Sequence, residues 1–327
     1  MAMKGDLIIG FDLGGTKMIS SIYDAEGGLL ASERCKTPAE LGADAVYTAI
    51  RGLLEKSIGI AGADKKRIAA IGVAVPGPID RAKGVILSLT NLGIADYDIS
   101  AKLKADFGAA VSLENDVNAG TYGEFRHGAA EGYRHVLGVF VGTGIGGGLI
   151  LDGRLYRGAR GGAGEIGHMI IREGGALCGC GQRGCLEALA SRLSISKDAV
   201  ALAASGKLPA YVEKTGSDLR KFKSAFYEKA LQDGDQHVTE LIRYSAENLG
   251  IGIANAVNLL NPEVVVLGGG LAEKLGEPYR AMVDDSLRRH AMASMAKGLK
   301  LKLSSLGDEA VPRGAACVAS EDAGLAR

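Results

Sequence analysis

This chain of 327 residues has no net charge and no long hydrophobic run, and each absence removes a class of function. Lys plus Arg number 38 and Asp plus Glu number 38, so the formal charge is zero. No long-range field then draws the chain to nucleic acid or to an anionic membrane, and an anionic ligand needs a locally built site. No stretch approaches the ~18 uncharged apolar residues of a membrane helix. The apolar run near the amino end, Leu7 to Phe11, is too short for a signal-peptide core and is closed by Asp12. The expectation is a cytoplasmic protein without nucleic-acid or membrane partners. Tryptophan is absent, which excludes nothing. Cysteines number five, and three of them fall between Cys178 and Cys185. In a reducing compartment such crowding points to metal rather than to disulfides.

What is present is apolar mass and glycine. Hydrophobic residues make up 47%, enough for buried cores, and the length suggests two domains. Glycine occurs 49 times, gathered at strand ends rather than repeated as in collagen. Residues 6–12 read as a strand broken by Gly14-Gly15, with strands following at 18–23 and 29–34 in a hairpin and meander. Residues 45–58 have helical spacing, 68–75 form a buried strand stopped by Pro76-Gly77-Pro78, and 100–107 form a short helix with Ser100 as its cap. A strand at 111–113 leads into Glu114-Asn115-Asp116. The plan then restarts. A strand at 136–141, a glycine turn over 142–148 and a strand at 149–151 mirror the first hairpin. Residues 237–260 form one long amphipathic helix, in which Gly250 and Gly252 cost roughly 1 kcal/mol each against alanine and serve close packing. Strand 264–267 ends at Gly268-Gly269-Gly270. The pattern predicts an α/β protein of two similar lobes. The charged stretch 205–235 reads as a surface excursion without assigned function.

Four motifs carry chemistry. Asp12-Leu13-Gly14-Gly15-Thr16-Lys17 is not a Walker loop, because a strand rather than a helix follows. It is either an ordinary hairpin tip or a phosphate grip, in which bare backbone amides, the Thr16 hydroxyl and Lys17 meet phosphate and Asp12 holds Mg²⁺. Gly142-Thr143-Gly144-Ile145-Gly146-Gly147-Gly148 contains the G-x-G-x-x-G spacing, but a strand follows it too, which rejects a dinucleotide-binding reading. Two such strand–turn–strand units suggest two phosphate-gripping hairpins around an ATP cleft. In Glu114-Asn115-Asp116, Asp116 is either a helix cap or a general base for a sugar hydroxyl. The fourth motif joins His168 to Cys178, Cys180 and Cys185. One imidazole and three thiols complete a tetrahedral zinc shell with no open position, so the zinc is structural. Glu165 and Glu187 flank that loop and are placed to accept hydrogen bonds from a polyol.

The ordered set DLGGTK, VPGPID, TNLG, ENDVNA, GTGIGGG, GEIGH, CGCGQRGCLE and VVVLGGG resembles the ROK family of bacterial glucokinases, other hexose and amino-sugar kinases and sugar-responsive repressors. The resemblance covers the chain from Asp6 to about Cys317. It implies the actin/hexokinase-like ATPase fold, two RNase H-like lobes around a central cleft. The smaller lobe is expected over 1–117, completed by a C-terminal helix at 314–327, and the larger over 118–313 with the zinc loop 168–185. By the same resemblance Gly14, Gly15, Thr16, Lys17, Gly142, Thr143 and Gly144 contact phosphates, Gly268 and Gly269 lie near the adenosine, and Asp12 steers the Mg²⁺-nucleotide. Asp116 is the catalytic base. Gly77, Asn91, Asn115, Asp116, Glu165, His168 and Glu187 form the sugar-contacting set, with His168 turning one ring nitrogen to zinc and the other to the sugar. The implied cofactors are ATP with Mg²⁺ and structural Zn²⁺, and the implied assembly is a homodimer or homotetramer.

Family repressors carry a helix-turn-helix before the first phosphate strand. Only five residues precede Asp6 here, so an enzyme is expected. The run Val264 to Gly270 favours ATP over a donor such as polyphosphate. The histidine-free cysteine loop resembles the glucokinase and N-acetylhexosamine kinase forms. Glucose is the expected substrate, with N-acetylglucosamine or N-acetylmannosamine as the alternative.

Overall fold

A computed structural model describes residues 6–208 and 222–325. The chain falls into two compact units. One takes the described parts of 1–132, 155–163 and 308–327, and the other takes those of 133–154 and 164–307. In chain order the first unit supplies β1 (Leu7–Leu13), β2 (Lys17–Tyr23), β3 (Leu29–Lys36), α1 (Ala43–Ile60), β4 (Ile68–Val75), β5 (Ile79–Asp80), β6 (Val85–Leu89), β7 (Ile94–Asp98), α2 (Ile99–Phe107), β8 (Ala110–Asn115) and α3 (Asp116–His127). Then follow β9 (Val136–Val141), β10 (Ile145–Leu151), β11 (Arg154–Leu155), α4 (Leu186–Ala190), α5 (Arg192–Ala204), α6 (Ser224–Gln232), α7 (Gln236–Leu260), β12 (Val264–Gly268), α8 (Gly269–His290), α9 (Ala293–Ala296) and β13 (Lys300–Leu303). The last helix, α10 (Ala310–Asp322), belongs to the first unit.

Each unit is built on a five-stranded sheet, and the two sheets repeat one plan. The first runs β3-β2-β1-β4-β8 and the second β11-β10-β9-β12-β13. In each, the leading strand pairs antiparallel with the next strand and parallel with a later one. The apolar runs of β1 and β4 follow from burial on both faces. Ile9, Phe11 and Leu13 share a core with Val46, Ile50 and Leu54 of α1, while Ile8 and Ala70 pack with Ala316 and Ala319 of α10. Helix α10 lies so close that a Cβ on Gly10 would stand 1.8 Å from the Pro312 carbonyl oxygen and one on Gly72 1.9 Å from that of Ala315. These glycines serve backbone contact, not turning.

The structure differs from the sequence reading at several places. The second glycine turn is only residues 142–144; Gly146, Gly147 and Gly148 lie inside β10, paired with Phe140, Val139 and Gly138. Gly147 is small because a Cβ there would stand 2.4 Å from the Gly164 carbonyl oxygen. Helix α2 is capped by Asp98, whose side chain accepts the Ala101 N–H at 2.9 Å, while Ser100 is pressed under Gly84. Helix α3, expected beyond a boundary at 117, lies in the first unit because it packs on α10, where a Cβ on Gly314 would stand 1.7 Å from the Ala119 carbonyl oxygen. The three strands β5, β6 and β7 form a small antiparallel sheet that the sequence reading did not contain. Of the stretch 205–235, residues 209–221 lie outside the described residues. The remainder is more than surface: Phe222, Tyr227 and Ala230 are fully buried on α6 and its approach. The long helix stands as expected, and its glycines admit neighbours, Gly250 facing Ser286 and Gly252 facing Leu186. Among the described residues no helix is long and apolar enough to cross a membrane.

Candidate active site

In the first unit the parallel strands β1, β4 and β8 end together. Asp12 lies level with Ala74, Ala74 with Glu114, and Val75 with Asn115. Asp12, the Pro76–Pro78 loop with Gly77, and Asn115-Asp116 are therefore gathered at the carboxyl edge of one sheet, where α/β folds place their ligands. A Cβ on Gly77 would meet Leu89, so this loop packs beside the exposed turn that carries Asn91.

The β1–β2 tip is held by Thr37, a buried residue absent from the sequence reading. Its hydroxyl donates to the Gly14 carbonyl at 2.6 Å and its N–H donates to the Thr16 carbonyl at 3.0 Å. With those carbonyls occupied, the amides of Gly15 and Thr16 meet no acceptor among the described residues. Such adjacent unpaired amides form an anion-binding concavity. Lys17 is less available than its sequence position suggests, since its ammonium sits 2.5 Å from Asp308. Burial, then the charge of Asp116, push the Asp12 carboxyl up to about 7; Lys17 opposes this and Asp308 adds to it. A carboxylate so placed gains from a bound cation.

Asp116 is not the helix cap. Asn115 takes that role, its side-chain oxygen accepting the Val117 and Asn118 N–H groups at 2.9 and 3.0 Å. Asp116 starts α3 with Oδ1 accepting from the Asn115 amide at 3.1 Å and the Val117 N–H at 2.9 Å. Behind both lies Glu114, 3% exposed, a buried charge that needs partners. Its Oε2 accepts from Arg157 Nε at 2.6 Å and stands 3.5 Å from Arg81 Nε. Its Oε1 accepts the Asn115 N–H and the Asn118 side-chain amide, both at 3.1 Å. Glu114 and Arg157 thus fix the backbone that carries Asn115 and Asp116. Arg157 lies 43 residues further along the chain, a pairing no local pattern signals.

In the second unit the β9–β10 tip repeats the first. The Arg192 N–H donates to the Gly142 carbonyl at 3.0 Å, the Leu193 N–H to that of Thr143 at 3.4 Å, and the Gly142 N–H to that of Gly144 at 2.9 Å. The Thr143 and Gly144 amides meet no acceptor among the described residues. Gly269, with φ of +85°, presses its Cα against Val141, where a Cβ would stand 2.7 Å from backbone atoms. The turn at Gly268-Gly269 is thereby placed beside the one at Gly142–Gly144.

Glu187 backs the same tip. Its Oε2 accepts the Ile145 N–H at 2.9 Å, and its Oε1 is 3.7 Å from the Cys178 sulfur. Glu187 thereby joins the glycine turn to the cysteine loop. Glu165 is exposed, and its Oε2 lies 4.0 Å from His168 Nε2.

The donor atoms of His168, Cys178, Cys180 and Cys185 all lie within 4.8 Å of one another. His168 Nδ1 is 3.7 Å from the Cys178 sulfur, and the Cys180 and Cys185 sulfurs are 3.7 Å apart. Zinc at about 2.3 Å from sulfur and 2.0 Å from nitrogen sets tetrahedral ligands roughly 3.5–3.8 Å apart, so the set fits that ion. All three cysteines are free thiols. Burial pushes the Cys178 and Cys185 thiols up, the latter to about 12, so their thiolates need a cation.

Comparisons agree with this geometry. The ROK family model matches residues 8–322. A glucokinase of Halalkalibacterium halodurans is 31% identical, covering 92% of this chain and 91% of its own. A xylose repressor of Caldicellulosiruptor bescii is 30% identical, covering 95% and 77%. Among solved structures, a ROK hexokinase from Thermus thermophilus superposes with a TM-score of 0.80 at 36% identity, covering 97% and 98%. A ROK family glucokinase from Streptomyces griseus, in complex with glucose and AMPPNP, gives 0.83 at 29% identity, covering 96% and 99%.

Proposed function

The chain belongs to the ROK family and has the actin/hexokinase-like ATPase fold, and from that premise we propose that it transfers the terminal phosphoryl group of ATP to a hexose hydroxyl, with glucose as the hexose. The observation that carries this reading is the carboxyl edge of the first sheet. There the charge of Asp116 helps to raise the Asp12 carboxyl, beside a turn whose Gly15 and Thr16 amides meet no acceptor among the described residues.

Asp116 accepts the proton of the attacking hydroxyl as the phosphoryl group arrives, a role that typically supplies 10²–10⁴-fold, or about 3–6 kcal/mol of barrier. Asn115 holds it from one side, and Glu114 and Arg157 hold the backbone beneath both. Asp12 takes the Mg²⁺ that accompanies the nucleotide, directly or through water. The tips at Gly14–Lys17 and Gly142–Gly144 contact the phosphates, and Gly268-Gly269 lies toward the adenosine. Gly77, Asn91, Asn115, Glu165, His168 and Glu187 contact the sugar. His168, Cys178, Cys180 and Cys185 would hold Zn²⁺, which would tie their loop together. Through Nδ1 toward the thiols, His168 keeps Nε2 beside Glu165.

A second reading, a sugar-binding regulator, draws on the xylose repressor relative, which is 30% identical against 31% for the glucokinase but matched over 77% of its own length against 91%. A coupled ATP-consumption assay over glucose, mannose, fructose, N-acetylglucosamine and N-acetylmannosamine separates the two. Turnover is expected, fastest with glucose. Glucose binding without turnover on any sugar would select the regulator. Faster turnover of an N-acetyl sugar would correct the substrate.

A further inference from the structure

Resting on the kinase reading above, we infer that Arg192 is a phosphate-binding residue for the donor nucleotide. Arg192 opens α5, and its backbone N–H already closes the Gly142–Gly144 tip. Its guanidinium lies on the same tip: Nη2 donates to the Thr143 hydroxyl at 2.6 Å and Nη1 to the Phe222 carbonyl at 3.1 Å. A guanidinium has five N–H donors, and these bonds use two of them. Among the described residues no carboxylate pairs with it; every ion pair of the second unit involves other cations.

Glu187, the acid that backs this tip, is engaged by the Ile145 N–H rather than by Arg192. Half-buried Arg192 therefore leaves a positive charge at a backbone concavity whose Thr143 and Gly144 amides meet no acceptor among the described residues. The Thr143 hydroxyl, accepting from the guanidinium, keeps its own proton to donate. Amides, hydroxyl and guanidinium together make a donor set suited to the oxygens of a polyphosphate chain, for which arginine is well matched. No local motif exposes this role, because Arg192 lies 49 residues from Thr143 in sequence.

The test is calorimetric titration of the wild type, Arg192→Met and Arg192→Lys with Mg-AMPPNP and, separately, with glucose. Arg192→Met is expected to weaken Mg-AMPPNP about tenfold, as loss of one charge-assisted contact does. Arg192→Lys should recover most of that loss, and the glucose affinity of both variants should equal the wild type's. Unchanged Mg-AMPPNP affinity in Arg192→Met overturns the inference. Equal losses in the two variants also overturn it, since they would show that Arg192 only shapes the tip through Thr143 and Phe222. Failure of the kinase reading is visible on its own, as a wild type that binds no Mg-AMPPNP and turns over no sugar.

Discussion

At the tip of the β1–β2 hairpin, the carbonyls of Gly14 and Thr16 are taken up by Thr37; at the tip of β9–β10, those of Gly142 and Thr143 are taken up by the first amides of α5. Both arrangements leave adjacent amides for an anion. The surrounding charges differ. The first tip has Asp12, Asp116 and Asp308 around it, with Lys17 drawn to Asp308. The second has Arg192 without an acidic partner among the described residues, and Glu187 tied to the backbone behind it. One architecture thus carries two charge environments. The acidic tip suits a metal-bound phosphate and proton removal, whereas the basic tip suits bare phosphate oxygens and is braced by the cysteine loop.

If the acidic tip carries the chemical step, the largest effect comes from Asp116→Ala. Its kcat should fall about 10²–10⁴-fold, with glucose affinity by calorimetry within a few-fold of the wild type. A kcat near the wild type's would move the base elsewhere. The next effect belongs to the other unit. Cys180→Ser should release zinc, read by mass spectrometry of the native protein, and weaken glucose about tenfold or more, as loss of metal support does. An unchanged metal content counts against the ligand set.

Asp12→Asn probes the acidic tip through pH. The folded protein holds the Asp12 proton up to about 7, against an ordinary value of 3.8. A raised acid stabilises the fold while protonated, and that contribution is lost as pH rises from about 4 through 7. The wild type without nucleotide should therefore lose stability over this window, and Asp12→Asn should not. At pH 8 the variant should be more stable by about 1–3 kcal/mol in urea unfolding, yet bind Mg-nucleotide more weakly. A wild-type profile parallel to the variant's would contradict the raised Asp12 carboxyl. The smallest effect is expected from Thr37→Val, which frees the Gly14 carbonyl. Loss of that one hydrogen bond, about 1 kcal/mol, should raise the KM for ATP roughly fivefold and leave that for sugar unchanged.

Much of this was legible in the sequence because it is local. The strand at 68–75 and the strand at 136–141 have the bounds their apolar runs predict, and a strand follows each glycine turn as read. The histidine–cysteine set converges because three of its members share one short loop. What was missed is set by tertiary contact. Glycines 146–148 looked like turn residues, but they lie inside β10, and the smallness of Gly147 answers to the neighbouring segment at Gly164. Asp98 rather than Ser100 caps α2, since Ser100 is drawn beneath Gly84. Thr37, Arg157 and Arg192 act on Gly14, Glu114 and Thr143 across 23, 43 and 49 residues, and no periodicity or spacing marks such pairs.

The central claim is that both tips bind phosphate through their unpaired amides. It is tested most directly by backbone amide NMR on the isotopically labelled protein, with and without Mg-AMPPNP. The account predicts that the resonances of Gly15, Thr16, Thr143 and Gly144 all shift on saturation. Shifts confined to one tip, or absent from both while nucleotide is bound, would contradict it.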